Sequence, residues 1–140
     1  MIKDAGIKGL VIQNLITGIG EEVADGDVLV TAAAGEKFDA LVADCVKKGY
    51  WGLENLSHIP GLVGATPIQN VGAYGVEISD LITIVETYSL ATGRKQKFSH
   101  KECRFSYRHS FFKTKPIGYP GYHQPKHLSL IHISEPTRPY

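Results

Sequence analysis

The sequence has no excess of one charge, almost no cysteine and no long hydrophobic run. Its 140 residues contain 15 Lys and Arg and 14 Asp and Glu, which gives a formal net charge of +1 at pH 7. Without a strong field, the chain has no global attraction for nucleic acid or an anionic membrane surface. The first residues, MIKDAGIKGLVI, resemble neither a signal peptide nor a membrane-spanning helix. We therefore expect a cytoplasmic protein that binds neither nucleic acid nor membrane.

The scarcity of cysteine also limits the chemistry. Cys45 and Cys103 lie far apart and form no CxxC or metal-binding spacing, so we expect free thiols that are buried or partly buried. His123, His127 and His132 have no helix or hairpin around them that would bring their side chains together. The sequence therefore predicts no metal site.

Hydrophobic periodicity predicts a mixed α+β domain. Alternating apolar residues are typical of strands, whereas the segment 36–49 changes to a helical period. Ser99 and Glu102 have the S-x-x-E spacing of a capping box, which predicts a short helix there. The predicted strands are residues 9–16 and 27–35, joined by a Gly/Asp/Glu loop, and a hairpin formed by 81–90 and 94–99.

The helix in segment 36–49 is amphipathic. Apolar residues recur at positions i, i+3, i+4, i+7 and i+8, which form one helix face. Cys45 lies on this face, and its burial there favours a structural over a catalytic thiol. The residues of the predicted buried face are Phe38, Leu41, Val42, Cys45 and Val46.

Residues 59–75, IPGLVGATPIQNVGAYG, contain four glycines and no charged side chain. Glycines let a ligand approach the main chain, and successive N–H groups suit phosphate oxygens. The segment matches neither the Walker loop nor G-x-G-x-x-G. It is compatible with a diphosphate and with a flat apolar ring against Ile59, Val63 and Ile68. A buried glycine-rich turn that packs a helix on a sheet explains the residues equally well, so both interpretations stay open.

A second candidate lies in residues 103–113, CRFSYRHSFFK. Arg108 lies between Tyr107 and His109, with phenylalanines on either side. An arginine in such a segment can bind a carboxylate or a phosphate. From spacing alone, an arginine stacked on aromatic rings at a domain boundary is the commoner case.

The last part of the chain differs from the rest. Residues 116–140 contain five prolines and show no hydrophobic period. The end, LSLIHISEPTRPY, resembles the translation of a transposon adapter used in sequencing libraries. We therefore expect residues 1–115 to form the domain and residues 116–140 to be a non-native or disordered tail.

The run GLENLSHIPGLVGATPIQNVGAYG, with AAAGEKFDALVADCVKKGYW before it and ECRFSYRHSFFK after it, resembles one family closely. That family is UDP-N-acetylenolpyruvoylglucosamine reductase, MurB, and the resemblance covers residues 5–115. It implies a partial FAD-binding domain of the vanillyl-alcohol-oxidase (PCMH) type. It also favours the interpretation of residues 59–75 as a cofactor site.

The resemblance implies that NADPH reduces FAD and that the reduced flavin converts the enolpyruvyl group of a UDP-sugar to give UDP-N-acetylmuramate, in peptidoglycan precursor synthesis. We see no sign of an obligate protein partner in the sequence. Arg108 matches the catalytic arginine of the family, and a fixed guanidinium there would stabilise negative charge in the transition state. Tyr107 and Arg108 would bind substrate, while His109 stands where the family often has Asp and receives no role. The implied FAD-binding residues are Ile59, Pro60, Gly61, Gly64, Ala65, Asn70, Gly72, Ala73, Tyr74 and Gly75.

The sequence also departs from the family pattern. A Gly-Gly-Gly-Ser-Asn phosphate loop is expected just before residues 4–14, and a later substrate domain should supply a proton-donating serine and a second acid. Neither is in this sequence, so we expect the chain alone to be inactive and at best a weak FAD binder. The alternatives are a non-catalytic nucleotide-binding module and an FAD-dependent oxidase with another substrate.

Overall fold

The computed structural model describes residues 13–24, 26–89, 92–113 and 123–133, the last of these by their backbone. The main element is a five-stranded sheet with the order β1-β2-β7-β5-β6, in which every neighbouring pair is antiparallel. With its helices, this sheet confirms the α+β class. The strands are β1 (Ile19–Ala24), β2 (Asp27–Ala33), β3 (Gly72–Ala73), β4 (Val76–Glu77), β5 (Ile82–Ser89), β6 (Lys95–Ser99) and β7 (His123–Ile133).

The first predicted strand is wrong where it can be compared. Residues 13–16 have no regular structure, and residues 9–12 lie outside the described residues. Instead β1 forms in the segment that the sequence predicted as a loop. This strand is exposed along its described side chains and lies at the sheet edge, so main-chain pairing with β2 forms it without an apolar alternation. The later hairpin, β5 with β6, confirms the prediction for residues 81–99.

Helix α1 (Phe38–Lys47) confirms the predicted amphipathic helix, with one correction. Phe38, Leu41, Val42 and Cys45 are buried, but Val46 is 51% exposed. Val46 lies at the edge of the apolar stripe, and the core reaches only the i, i+3, i+4 and i+7 positions. Near the end of the helix, Lys48 pairs with Glu21 of β1 as well as with Asp44.

The short helix α2 (His100–Cys103) begins where the capping box predicts it. Ser99 and Glu102 each bind the other's main chain, so two N–H groups at the helix start are satisfied. The carboxylate of Glu102 accepts hydrogen bonds from the Ser99 hydroxyl and main chain, which lowers its pKa. The two cysteines are free and buried, as predicted. Burial raises the pKa of Cys45 to about 11 and that of Cys103 to about 12, which leaves both as thiols.

The hydrophobic core joins the sheet to α1 and to the irregular segment that follows it. Val30 of β2, Val85 of β5 and Phe38 of α1 belong to one buried cluster. Short 3-10 turns at Glu54–Leu56, Val63–Ala65, Ile78–Asp80 and Phe111–Lys113 contribute further members: Leu56, Val63, Ile78 and Phe112. Glycine-rich residues 59–75 are therefore anchored on the core at several points.

Strand β7 lies in the segment expected to be a non-native or disordered tail. Its backbone pairs with β2 on one side and β5 on the other. Leu128 lies opposite Ala32 and Val85, and Leu130 lies opposite Val30 and Ile82. All four of these partners are buried, whereas His132 lies opposite Val28 in the same register. The structure gives these residues a strand, and the expectation that residues 116–140 form a non-native or disordered tail stays a prediction.

No helix among the described residues is long and apolar enough to cross a membrane.

Candidate functional site

The neutral segment begins against the connection between β2 and α1. Val63 N–H donates to the Glu36 carbonyl at 2.9 Å, and Gly64 N–H donates to the Ala34 carbonyl at 3.0 Å. A Cβ at Gly64 would lie 2.6 Å from the Ala34 Cβ, too close for any side chain. Gly64 therefore serves close packing, as the alternative interpretation of the segment proposed.

Other glycines of the segment face open space. Gly61 and Gly75 are exposed, have φ angles of 132° and 81°, and would have no atom within 4 Å of an added Cβ. Among the described residues, we find no acceptor for the N–H group of either glycine. Exposed main-chain donors without nearby side chains are what a phosphate ligand requires.

Strands β3 and β4 form a tight hairpin, residues 72–77, here called the glycine hairpin. Its two-residue turn is Tyr74–Gly75, and both residues have positive φ angles, 52° and 81°. This is the geometry of a type I′ turn, which matches the twist of a two-stranded ribbon. The turn leaves the Tyr74 side chain 90% exposed, so its ring is free to contact a ligand.

A second tight turn, residues 106–109, carries the arginine and is here called the arginine hairpin. Ser106 and His109 exchange main-chain hydrogen bonds of 3.0 and 2.9 Å. Tyr107 and Arg108 form the tip, where Tyr107 is 82% exposed and Arg108 has a φ of 51°. A non-glycine residue in the left-handed region carries backbone strain, which is common at functional sites.

The two hairpins touch through Arg108. Its Nη2 donates to the Gly72 carbonyl at 2.8 Å, and its guanidinium carbon lies 5.9 Å from the centre of the Tyr107 ring. Lys113 Nζ donates to the Arg108 carbonyl at 2.8 Å, which holds the main chain of the tip. The side chain is thus directed along the edge of the neutral segment, with further N–H groups left for a ligand.

Two buried polar side chains join the segments that carry these hairpins. Ser110 is fully buried, donates from Oγ to the Ile68 carbonyl at 2.7 Å and accepts the Phe112 N–H at 3.2 Å. Asn70 is also fully buried, and its Nδ2 donates to the Ser106 carbonyl at 3.2 Å. The structure therefore brings residues 59–75 and residues 103–113 together.

The predicted site residues do not all reach the surface. Pro60, Gly61, Ala65, Tyr74 and Gly75 are exposed, and Ile59, Gly64, Gly72 and Ala73 are partly buried. The amide of Asn70, in contrast, is used within the protein, so its place among the FAD-binding residues stays a prediction. Contacts of Arg108 and Tyr107 with substrate likewise stay predictions.

Three residues of this arrangement were missed by sequence reasoning: Glu77, Ser106 and Ser110. Glu77 is the first charged residue after the neutral segment, and the two serines flank the motif around Arg108. These positions were visible signals, but the partners were not, because they lie up to 42 residues away in sequence.

No cluster of three or more His, Cys, Asp or Glu side chains suited to a metal ion occurs in the part of the chain that the structure describes.

Comparison with known proteins gives a consistent result. A model of the FAD binding domain family matches residues 1–99. The chain is similar to the UDP-N-acetylenolpyruvoylglucosamine reductase of Bdellovibrio bacteriovorus, with 46% identity over 121 residues, 84% of this chain and 35% of the relative. It is 47% identical over 111 residues to the enzyme of that name from Amoebophilus asiaticus, covering 79% of this chain and 33% of the relative.

Among solved structures, the chain is similar to UDP-N-acetylenolpyruvylglucosamine reductase (MurB) from Thermus caldophilus. The TM-score is 0.64 at 27% identity, over 76% of this chain and 36% of that chain. These findings confirm the resemblance to MurB reductases and the FAD-binding fold class. The chain spans about a third of the length of the curated relatives it matches.

Proposed function

The chain belongs to the FAD binding domain family, and from this premise we propose that it is the flavin-binding part of a UDP-N-acetylenolpyruvoylglucosamine reductase. The observation that carries the proposal is the hydrogen bond from Arg108 to the Gly72 carbonyl. It places a guanidinium at the edge of a neutral, glycine-rich surface. The proposal includes NADPH as reductant, the enolpyruvyl UDP-sugar as substrate and a cytoplasmic location.

The residues of this glycine-rich surface fit an FAD cofactor. Gly61 and Gly75 offer exposed N–H groups, and no carboxylate occurs in residues 59–75 to repel a diphosphate. The exposed ring of Tyr74 and the partly buried Ile59 supply apolar surface beside them. FAD, when bound, supplies two-electron transfer chemistry, while the protein binds and orients the reactants.

Arg108 would act on the substrate. The reaction adds a hydride and a proton across the enolpyruvyl double bond, and hydride addition builds negative charge toward the neighbouring carboxylate. A guanidinium that is already oriented by Gly72 and Tyr107 stabilises that charge without reorganising at the moment of reaction. Its remaining donors can bind a carboxylate in the two-pronged manner typical of arginine.

The chain itself is proposed to be inactive. The region of similarity spans about a third of the length of each relative. We propose that the chain binds FAD weakly and supports no substrate-dependent oxidation of NADPH.

Titration of the purified chain with FAD, followed by flavin fluorescence, tests the cofactor part of this proposal. We expect weak, saturable binding, and a linear response with no saturation would contradict it. Addition of NADPH and the enolpyruvyl sugar to the FAD-loaded chain should give no substrate-dependent oxidation. Turnover there would show that the chain is active without the remaining length of its relatives.

The role of Arg108 is tested in the protein extended to the length of its relatives. Arg108→Ala should keep the flavin spectrum and lower sugar reduction by about 10²–10³-fold, because an oriented charge is lost from the transition state. Arg108→Lys is the matched control, since it keeps the charge and loses the planar fork. Unchanged turnover in Arg108→Ala would remove this residue from the mechanism, and rapid oxidation by oxygen without the sugar would favour an oxidase.

A further inference from the structure

We propose that Asn70 is a positioning residue, which orients the arginine hairpin against the glycine hairpin and is itself oriented by Glu77. This inference rests on the proposed function, because Arg108 is the group that the positioning serves. In this role Asn70 acts through the main-chain and side-chain groups that it contacts within the protein.

The first support is that the Asn70 amide is fully buried and fully used. Nδ2 donates to Glu77 Oε2 at 2.7 Å and to the Ser106 carbonyl at 3.2 Å, and Oδ1 accepts the Ser79 N–H at 3.1 Å. The side chain therefore connects the end of the glycine hairpin, the turn after it and the first residue of the arginine hairpin. With an exposed fraction of 0%, it presents no surface to a ligand.

These partners also define which end of the amide is nitrogen. Glu77 and Ser106 offer acceptors, and Ser79 offers a donor, so a flipped amide would oppose like groups at every contact. The left-handed backbone of Asn70, with a φ of 45°, is a conformation that asparagine tolerates better than most residues. The residue type and the hydrogen-bond geometry therefore both favour a structural role for Asn70.

Glu77 is held in turn by Asp80. The Glu77 N–H donates to Asp80 Oδ2 at 2.9 Å, and the Asp80 N–H donates back to the Glu77 side chain. The bond from the Asp80 N–H restrains the Glu77 carboxylate, and this carboxylate in turn accepts from Asn70 Nδ2. Glu77 therefore adds a constraint on the orientation of the Asn70 amide.

A short piece of main chain connects Asn70 to the residue that binds Arg108. Asn70 contacts Ser106 at the base of the arginine hairpin, and Gly72 contacts Arg108 at its tip. Only one residue separates Asn70 from Gly72, so a short piece of main chain holds the hairpin at both ends. Loss of the Asn70 contact should free the base of the hairpin and reduce the time that Arg108 spends at Gly72.

The test uses amide hydrogen exchange of the complete 140-residue chain, which needs no cofactor or substrate. A failure of the proposed function would therefore leave this test unaffected. Asn70→Asp keeps the shape and the acceptor for Ser79 but places a carboxylate against that of Glu77. We expect the protection factor of the His109 N–H, which bonds the Ser106 carbonyl, to fall at least tenfold at neutral pH.

The matched rescue is Glu77→Gln in the Asn70→Asp background. A glutamine amide can donate to the carboxylate introduced at position 70, so most of the lost protection of His109 should return. Lowering the pH should also restore protection in the single variant, because one shared proton rebuilds a donor between the carboxylates. The other charged or titratable groups on the surrounding turns are the same in all variants: Tyr74, Asp80, Tyr107, Arg108, His109 and Lys113.

Asn70→Gly covers the case in which Asn70→Asp fails to fold, because glycine accepts the positive φ and simply removes the amide. It should lower His109 protection as well, without dependence on pH. The Tyr50 N–H, which bonds the Cys45 carbonyl at 2.8 Å at the end of α1, is the internal control and should stay protected. Unchanged protection of His109 in both variants, an equal loss at Tyr50, or no rescue by Glu77→Gln would overturn the proposal.

Discussion

Helix α1 and the pair of hairpins around Arg108 are stabilised by different means. Four side chains of α1 are buried apolar groups, and the helix needs no buried polar partner to stay in place. The hairpins depend on Asn70 and Ser110, buried polar residues that join main-chain groups from separate segments. Apolar packing tolerates changes that conserve volume, whereas a buried hydrogen-bond network depends on individual atoms.

Backbone strain divides the two regions in the same way. Asn70, Tyr74 and Arg108 all have positive φ angles in or beside the hairpins, whereas no described residue of α1 does. Each such residue costs about 1–3 kcal/mol when the conformation is unfavourable for its type. The stable packing around α1 therefore compensates for the strain in the hairpins. Substitutions in α1 should mainly lower stability, and substitutions in the hairpins should mainly affect the candidate site.

The largest expected effect is on the α1 side. Phe38→Ala removes a fully buried aromatic ring and should lower the free energy of unfolding by about 3–5 kcal/mol. Urea unfolding measures the loss, with Val46→Ala as control, because Val46 lies on the same helix and is 51% exposed. A loss in Phe38→Ala no greater than that in Val46→Ala would show that α1 does not depend on apolar burial.

A smaller effect is expected where the neutral segment meets β2. Gly64→Ala adds a Cβ at 2.6 Å from that of Ala34, and the strain should cost about 1–3 kcal/mol. The double variant Gly64→Ala/Ala34→Gly removes the opposing methyl group and should recover part of the loss in urea unfolding. Gly20→Ala, which would meet nothing within 4 Å, serves as control. Equal stability of Gly64→Ala and Gly20→Ala would mean that residues 59–75 move to accommodate the added Cβ without strain.

On the hairpin side, Ser110→Ala should cost about 1–2 kcal/mol, because the Ile68 carbonyl loses a donor and the Phe112 N–H an acceptor. Because Ser110 lies beside the candidate site and Phe38 does not, we also expect different effects on FAD binding. FAD affinity should fall by a larger factor in Ser110→Ala than in Phe38→Ala when both variants are measured under conditions in which they are folded. Ser57→Ala, at an exposed serine, is the matched control. A greater fall of affinity in Phe38→Ala would contradict the separation of the two regions.

The smallest effect concerns pH and the end of α1. The hydrogen bond from Lys48 lowers the pKa of Glu21 below its usual 4.5, with a further contribution from the Tyr50 hydroxyl. A lowered carboxyl pKa adds stability above pH 4.5, and this contribution disappears as the pH falls through the lower folded value. The Lys48 side chain is 40% exposed and that of Glu21 is 29% exposed, so screening by solvent keeps the effect small.

Glu21→Gln should therefore melt slightly earlier than the unmodified chain at neutral pH and converge with it in acid. Thermal unfolding followed over this pH range measures the difference, and Glu22→Gln at the neighbouring exposed position is the control. If the difference in melting temperature between Glu21→Gln and the unmodified chain grew toward acid, the lowered pKa of Glu21 would be contradicted.

The elements that the sequence predicts well are those with their own local signal. α1 carries an apolar helical period, the β5–β6 hairpin has Gly93 with a φ of 64° in its turn, and α2 carries a capping box. β1 was missed, because an exposed edge strand needs no apolar alternation. In such a strand the main-chain bonds to β2 decide the structure.

The candidate site could be predicted in its parts but not in its assembly. The glycines and Arg108 were visible as unusual residues, and the family resemblance connected them. The turns at Tyr74 and Arg108 were not predictable, because neither carries the Asn-Gly or Asp-Gly signal of tight hairpins. Asn70 pairs with Ser106 across 36 residues, and no local pattern indicates such a partner.

Strand β7 has a consequence for how the molecule reaches this structure. The β1–β2 and β5–β6 hairpins close over short loops and can form early, but Asp27 pairs with Ile133, more than 100 residues away. The entropy of closing so long a loop must be overcome before the pairing stabilises anything, and such topologies fold slowly. Until β7 arrives, β2 and β5 each present an unpaired edge at the centre of the future sheet. Refolding should therefore proceed in a fast local phase and a slower one, and the second should be the phase most prone to aggregation.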